Sequence, residues 1–220
     1  MHNQTCLHGT LAKRPLRQSG LRSLMLMTVL GCSAALAETG QIPTDQDTYP
    51  APIKAIPAVL SQCFACHGPN GRSEYNDWPS LAGQKQAYLL QQLMEFKSGA
   101  RNHPMMQPVV DVLSDDDLKT AADYLSVQPP PLPHIEPGAT ITRPAAAAVC
   151  IACHDNAALP TEPYLNAQQA DYLAAQLRAF KTGARQDAVM QAMTQNLSEQ
   201  DITDLAVYFS AQPPISTGAK

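Results

Sequence analysis

Two short segments of the chain repeat one arrangement of thiols and an imidazole. The first is SQCFACHGPNG and the second is AAVCIACHDNA. Their shared residues are Cys63, Cys66 and His67 in the first, and Cys150, Cys153 and His154 in the second. A C-x-x-C pair of this kind can serve a zinc site, a redox-active dithiol or, when histidine follows, the covalent attachment of haem.

The spacing favours haem over the other two chemistries. A zinc site built from two pairs usually closes within a short loop, whereas 83 residues separate Cys66 from Cys150. A thioredoxin-like dithiol needs a βαβ setting, and no long strand pattern is present. In a helical turn, two thiols three residues apart share a face and can reach the two vinyl groups of one porphyrin. The next residue then directs its imidazole toward the iron, so the chain is predicted to bind two haem c groups covalently.

The segments belong to an internal duplication. The sequence that begins at Tyr88 aligns without a gap with the one that begins at Tyr172, at an offset of 84 residues. The C-x-x-C-H units are offset by 87, so the loop after His154 is three residues shorter than the loop after His67.

Each copy is predicted to be helical. Leucine, methionine and phenylalanine recur at helical spacing from Tyr88 to Lys97, and Gly99 and Gly183 are expected to end the equivalent helices. Ser114 and Ser198 each precede an acid by three residues, which predicts a capping box at the start of a last helix. The expected core residues of these last helices are Leu118, Ala121, Ala122 and Leu125, and then Ile202, Leu205, Ala206 and Phe209.

The domain boundaries follow from the duplication and from a run of prolines. We expect an N-terminal domain over residues 55–128, a semi-rigid Pro-rich linker over 129–144 and a C-terminal domain over 145–215. Domains this small, with only 5% aromatic residues in the chain, have thin cores, and a porphyrin would supply the missing apolar bulk.

A second axial ligand for each iron is predicted from the duplication. Met106 and Met190 occupy the same position, seven residues before Leu113 and Leu197. Thioether ligation raises the reduction potential relative to two imidazoles. The alternatives are that these methionines fill the core, or that Met105 or Met193 is the ligand. His103 competes with Met106, but its counterpart in the second copy is an aspartate.

The start of the chain has the pattern of a cleavable secretory signal over residues 1–37. A basic stretch without acids precedes an apolar run that ends in Ala-Leu-Ala before Glu38. A retained anchor and lipidation at Cys32 are the alternatives. Cleavage removes Cys6 and Cys32, which leaves only the two C-x-x-C pairs. It also removes four of 15 basic residues and no acid, so the net charge becomes −8, which argues against a nucleic-acid partner.

The two motifs, together with KSGAR…M…LS in the first copy and KTGAR…M…LS in the second, resemble the dihaem class I cytochromes c of the cytochrome c4 type. The resemblance covers about residues 55–215. It implies an all-α fold of two tandem cytochrome c domains, each with a His/Met haem, in the periplasm. It also implies that the carbonyls of Pro79 and Pro163 orient the histidines by accepting their Nδ1 hydrogen bonds.

The second copy departs from the family pattern beside its histidine. The family usually has glycine there, as at Gly68, but the second copy has Asp155. An acid next to the iron ligand stabilises the oxidised haem, so the second haem is expected to have the lower potential. Lys97 and Arg101 of the first copy recur as Lys181 and Arg185 in the second. These four residues either pair with haem propionates or are solvated helix-end cations.

The expected function is electron transfer without catalysis. The resemblance implies redox partner proteins, namely an electron donor and a terminal oxidase or reductase, with peripheral membrane association only through such a partner. One alternative is the electron-accepting cytochrome subunit of a dehydrogenase that oxidises sulfide, thiosulfate or an alcohol. A two-haem peroxidase is the third hypothesis, and it requires an open iron.

Overall fold

The regular elements of the described residues form two sets of four α-helices in chain order. The computed structural model describes residues 56–135 and 140–215 of the 220-residue chain. The first set, with a single 3-10 turn at Pro69–Gly71, is α1 (Leu60–His67), α2 (Gln86–Ser98), α3 (Gln107–Asp111) and α4 (Asp115–Ser126). The second is α5 (Ala147–His154), α6 (Ala170–Thr182), α7 (Ala188–Thr194) and α8 (Glu199–Ser210). No strand occurs in the described ranges, and the predicted all-α class is confirmed.

Parts of the sequence interpretation fall outside these ranges. The predicted signal peptide over residues 1–37, with Cys6 and Cys32, is not among the described residues. Within the part that is described, no helix has both the length and the apolar character needed to cross a bilayer. The domain boundaries stay predictions.

Local sequence signals determine where the long helices begin and end. Gly99 and Gly183 adopt φ values of 79° and 76° after α2 and α6, a left-handed conformation that glycine reaches without a Cβ clash. At the start of α4, the Ser114 hydroxyl accepts the backbone N–H of Asp117, whose carboxylate accepts the backbone N–H of Ser114. An identical capping box starts α8. The predicted helix stops and capping boxes are therefore confirmed.

The core of each half lies between its two long helices. α2 packs against α4, and α6 packs against α8. The eight core residues predicted for α4 and α8 are all buried, with at most 3% of their surface exposed. Ala121, Ala122 and Leu125 pack with Leu60 and Leu89, and Leu118 packs with Phe96 and Val110. The residues of α8 pack with Ala147 and Leu173.

The two halves contact each other through a pair of buried glutamines. All described residues belong to one compact unit of the chain. The Gln84 amide donates to the Tyr164 carbonyl at 2.9 Å and accepts the Tyr164 backbone N–H at 2.9 Å. The Gln168 amide makes the same two bonds with the backbone of Ser80, both at 2.8 Å. Because Gln84 and Ser80 become Gln168 and Tyr164 at the offset of 84, the contact has pseudo-two-fold symmetry.

A second symmetric network surrounds the same axis. Its two guanidinium groups each lie 4.5 Å from the centre of a phenylalanine ring in their own half. Each guanidinium donates to a glutamine of its own half and to a tyrosine and a glutamine of the other half. The participants are Arg101, Gln92 and Tyr88 in the N-terminal half, and Arg185, Gln176 and Tyr172 in the C-terminal half.

The linker is also held against both halves. Pro130 packs on Gly83, where an added Cβ would come within 2.8 Å of the proline ring. Farther along, the His134 backbone N–H donates to the Ser210 carbonyl at 2.9 Å. These contacts agree with the semi-rigid connector expected from its prolines.

Replacement of Gln168 by alanine is expected to lower the free energy of unfolding by about 1–3 kcal/mol, because it leaves the buried backbone N–H and C=O of Ser80 unpaired. Denaturant unfolding of the haem-loaded protein measures this change. The matched control is Gln91→Ala, since Gln91 is exposed and bonds only Glu95 on its own helix. That variant should stay within about 0.5 kcal/mol of the unsubstituted protein. Equal losses in both variants would contradict the structural role of Gln168.

Candidate functional site

The two motif histidines are equally buried and make the same hydrogen bond. His67 ends α1 and His154 ends α5, and each is 7% exposed. Nδ1 of His67 lies 2.8 Å from the Pro79 carbonyl oxygen, and Nδ1 of His154 lies 2.7 Å from that of Pro163. A carbonyl can only accept, so each Nδ1 carries the hydrogen and each Nε2 presents its lone pair. Both imidazoles are therefore oriented as Nε2 metal ligands.

Burial also keeps these imidazoles neutral. It lowers the pKa of both His67 and His154, and the hydrogen bond to the proline carbonyl opposes that change only in part. For His67, the nearby His103 lowers the pKa further. A neutral imidazole is the form that binds a metal ion.

Each histidine depends on the opposite half for its orientation. Pro79 directly precedes Ser80, whose backbone is bonded to Gln168 of the C-terminal half. Pro163 directly precedes Tyr164, whose backbone is bonded to Gln84 of the N-terminal half. The glutamine pair at the interface thus holds the loops that present both carbonyls.

The four cysteines are unbridged and lie one helical turn apart in pairs. Cys63 and Cys150 pack against the core of their halves, and burial raises the pKa of both thiols. Cys153 is exposed and Cys66 is half-buried. In each pair, one thiol is held by the core while the other is presented on the same side of the helix.

A cavity of about 270 Å³ in the C-terminal half brings the predicted site residues of that half together. Its polar and sulfur-containing lining includes Cys150, Cys153, His154, Met190 and Met193. The apolar wall comes from α6 and α8, with Leu173, Leu177, Phe180, Leu205 and Phe209. Tyr88 and Gln92 of the N-terminal half also line it, so the cavity reaches the interface.

The two candidate methionines of this cavity are placed by α7. The Asp187 carboxylate caps the helix by accepting the Met190 backbone N–H at 2.8 Å. Met190 is half-buried and Met193 is 51% exposed. Both line the cavity, so the structure does not choose between them.

The N-terminal half holds its methionine segment differently. His103 stands where Asp187 stands in the second copy, has no carboxylate to cap the helix, and α3 starts only at Gln107. Met106 packs against a core cluster that includes Phe96 and Val110, while Met105 is 56% exposed.

These observations fit a covalently bound haem. The cavity joins two free thiols, a fixed Nε2 lone pair and a thioether within apolar walls. In the described parts of the chain, no three side chains of histidine, cysteine, aspartate or glutamate come together as a metal-binding cluster. The thiols, the imidazole and the thioether that line the cavity would hold the iron of a porphyrin, with sulfur attachment from the cysteines.

The sequence analysis did not predict the contacts of the buried basic residues. Arg101 and Arg185 had been expected either to bind propionates or to be solvated, but they bond across the interface instead. Lys85, which the sequence analysis did not single out, is buried beside the second motif loop. No local pattern distinguishes an arginine at a helix end that reaches another domain from one that faces water.

Comparison with known proteins shows which family this chain resembles. Residues 54–128 match the family described as cytochrome c. Cytochrome c4 of Azotobacter vinelandii is 33% identical over 172 residues, which cover 66% of this chain and 82% of the relative. The thiosulfate dehydrogenase electron acceptor of Stutzerimonas stutzeri (strain A1501) is 31% identical and covers 74% and 84% of the two chains.

A solved structure shows the same architecture. Reduced recombinant cytochrome c4 from Pseudomonas stutzeri superposes with a TM-score of 0.61 at 31% identity. The match covers 70% of this chain and 94% of that chain. The likeness thus extends over both helical halves.

Replacement of Cys150 and Cys153 by alanine is expected to remove one of two covalently bound haems, because only thioether bonds resist denaturation. Mass spectrometry under denaturing conditions, with a pyridine haemochrome spectrum, measures the loss. The matched variant, with alanine at Cys63 and Cys66, should lose the other haem. Retention of two bound haems in either variant would show that attachment lies elsewhere.

Proposed function

The chain belongs to the cytochrome c4 family, whose members carry two covalently bound haem c groups, and from this membership we propose that it is a periplasmic dihaem electron carrier. In this proposal the first haem is held by Cys63, Cys66, His67 and Met106. The second is held by Cys150, Cys153, His154 and Met190. The iron of each haem supplies the chemistry by alternating between its ferric and ferrous states.

The observation that carries the proposal is the convergence of both thiols, His154 and Met190 on one apolar cavity. The two cysteines would attach the haem covalently, and His154, through Nε2, and Met190 would hold its iron. Phe180 and Leu205 exclude water from the site. If His67 and Met106 hold the first iron and His154 and Met190 the second, neither iron would offer a place for substrate, so we infer a carrier and no catalyst.

The interface supplies a route between the halves. Tyr88 and Gln92 belong to the N-terminal half and yet line the cavity that contains His154. Their hydrogen bonds to Arg185, at 3.3 Å and 2.6 Å, hold this contact closed. We infer that an electron received at one haem crosses here to the other.

Localisation and partners follow from the sequence. The secretory signal over residues 1–37 supports export, and the four cysteines that remain are all accounted for by haem attachment. The family membership implies redox partner proteins. A net charge of −8 after cleavage favours partners with a basic docking surface, through small and transient contacts. The proposed acceptor is a terminal oxidase or reductase, and any membrane association would arise through it.

A second candidate function is that of the electron-accepting subunit of a dehydrogenase. The observation in its favour is the 31% identity with a thiosulfate dehydrogenase electron acceptor. Purification from the native periplasm distinguishes the two functions. A stoichiometric dehydrogenase partner, with reduction of both haems upon addition of thiosulfate, would favour the subunit over the free carrier.

A redox-titrated visible spectrum of the mature protein tests the carrier. We expect two one-electron waves, low-spin spectra in both oxidation states and the methionine–iron absorption band in the oxidised form. A high-spin ferric component that binds peroxide would instead indicate a peroxidase.

The ligand assignment predicts different effects for neighbouring methionines. Met190→Ala should remove the methionine–iron band of one haem and lower its potential, because thioether ligation raises the potential. Met193→Ala, a matched change on the same helix, should retain both. Met106→Ala and Met105→Ala form the equivalent pair for the other haem. Loss of the band in Met193→Ala but not in Met190→Ala would reassign the ligand.

A further inference from the structure

One buried position at the interface differs in charge between the two copies. Lys85 corresponds to Gln169 at the offset of 84, and each directly follows the interface glutamine of its half. Lys85 is 9% exposed and Gln169 is fully buried. A lysine is rarely so buried unless its ammonium group is bonded, so its surroundings carry information about its role.

The Lys85 ammonium group belongs to the N-terminal half but bonds the second motif loop. Its Nζ donates to the Asn156 carbonyl at 2.7 Å and to the Leu159 carbonyl at 2.9 Å. It also lies 4.4 Å from the centre of the Tyr164 ring. Asn156 follows His154 by two residues, so a cation of one half stands beside the candidate iron ligand of the other.

Gln169 makes the neutral version of this contact. Its amide nitrogen donates to the Ser73 carbonyl at 2.6 Å, on the loop that follows His67. In the described structure its amide oxygen has no hydrogen-bond partner. The first motif loop therefore receives the same kind of hydrogen bond from the opposite half, without the charge.

Two acids stand beside the second motif at positions that are uncharged in the first copy, while the first motif loop carries its own acids elsewhere, at Glu74 and Asp77. Asp155 follows His154 where Gly68 follows His67, and Glu162 stands where the first copy has Trp78. Both acids raise the pKa of His154, and Lys85 lowers it. Burial lowers the pKa of Lys85 itself, and Glu162 and Asp155 oppose that change. The second site thus combines two negative charges with one positive charge taken from the other half.

We propose that Lys85 is a positioning charge that raises the reduction potential of the C-terminal haem and partly offsets Asp155 and Glu162. The inference rests on the proposed ligation of that haem by His154. Reduction adds an electron to the site, so a nearby cation stabilises the reduced form. Because Lys85 is buried and bonded to the second motif loop, its field is weakly screened there. The potential of one haem then depends on the docking of the opposite half.

The test is a potentiometric titration of the haem-loaded protein with Lys85→Gln. This change copies the residue of the other half and retains an N–H donor for the loop. We expect the equilibrium constant for electron exchange between the haems to shift about tenfold in favour of the reduced N-terminal haem. A tenfold shift corresponds to a change of about 59 mV in the difference between the two potentials, for one electron. The wave of the C-terminal haem should move to lower potential, and the other should stay in place. Met106→His and Met190→His variants assign the two waves.

Two matched variants separate charge from packing. Lys85→Arg keeps the cation and should restore the potential of the C-terminal haem. Gln169→Lys places a cation beside the first motif loop and should raise the potential of the N-terminal haem. The change breaks no hydrogen bond to the Gln169 side-chain oxygen, which has no partner in the described structure. The inference would be overturned if Lys85→Gln retained both haem spectra and left the potentials unchanged. Equal shifts of both waves, or a rise in the potential of the C-terminal haem, would overturn it as well. Fewer than two haem waves in the unsubstituted protein would contradict the proposed function as well.

Discussion

The exchange of two buried glutamines across the pseudo-two-fold axis is the interaction on which the remaining structure depends. Gln84 bonds the backbone of Tyr164, and Gln168 bonds that of Ser80, immediately after the prolines that accept the histidine N–H groups. A buried backbone group without a partner is costly, so these bonds constrain the loops firmly. The orientation of each imidazole is therefore a property of the whole two-domain unit. This coupling explains why two small halves with thin cores are held as one body.

The two copies are alike in the contacts that hold the halves together and differ in the charges beside the motif histidines. The glutamine pair and the Arg101 and Arg185 networks repeat with nearly the same bonds in both directions. The loops beside the histidines instead place their acids differently, at Asp155 and Glu162 in the second copy and at Glu74 and Asp77 in the first. A shared frame thus carries two electrostatically different sites. Lys85 links these two aspects because it is part of the interface and faces the acidic site.

Much of the fold followed from local patterns. The capping boxes at Ser114 and Ser198 and the stops at Gly99 and Gly183 depend on residues a few positions apart, and the structure has them as expected. The methionine ligand of the second iron was harder to assign. Met190 and Met193 both line the cavity, because helical spacing puts them on one side of α7. Their assignment stays a prediction. The contacts of Arg101 and Arg185 across the interface were not predicted. The sequence around an arginine at a helix end indicates only two partners, water and the carboxyl end of the same helix.

Haem attachment, the all-α class and the internal repeat could be predicted from the amino-acid sequence, because C-x-x-C-H spacing, helical periodicity and capping each involve residues close together along the chain. The groups that meet across the axis are visible only in the folded protein: the glutamines that hold the proline loops, the arginine networks and the lysine beside the second motif. Those contacts join residues about 70 to 100 positions apart, and they form only when one half packs against the other.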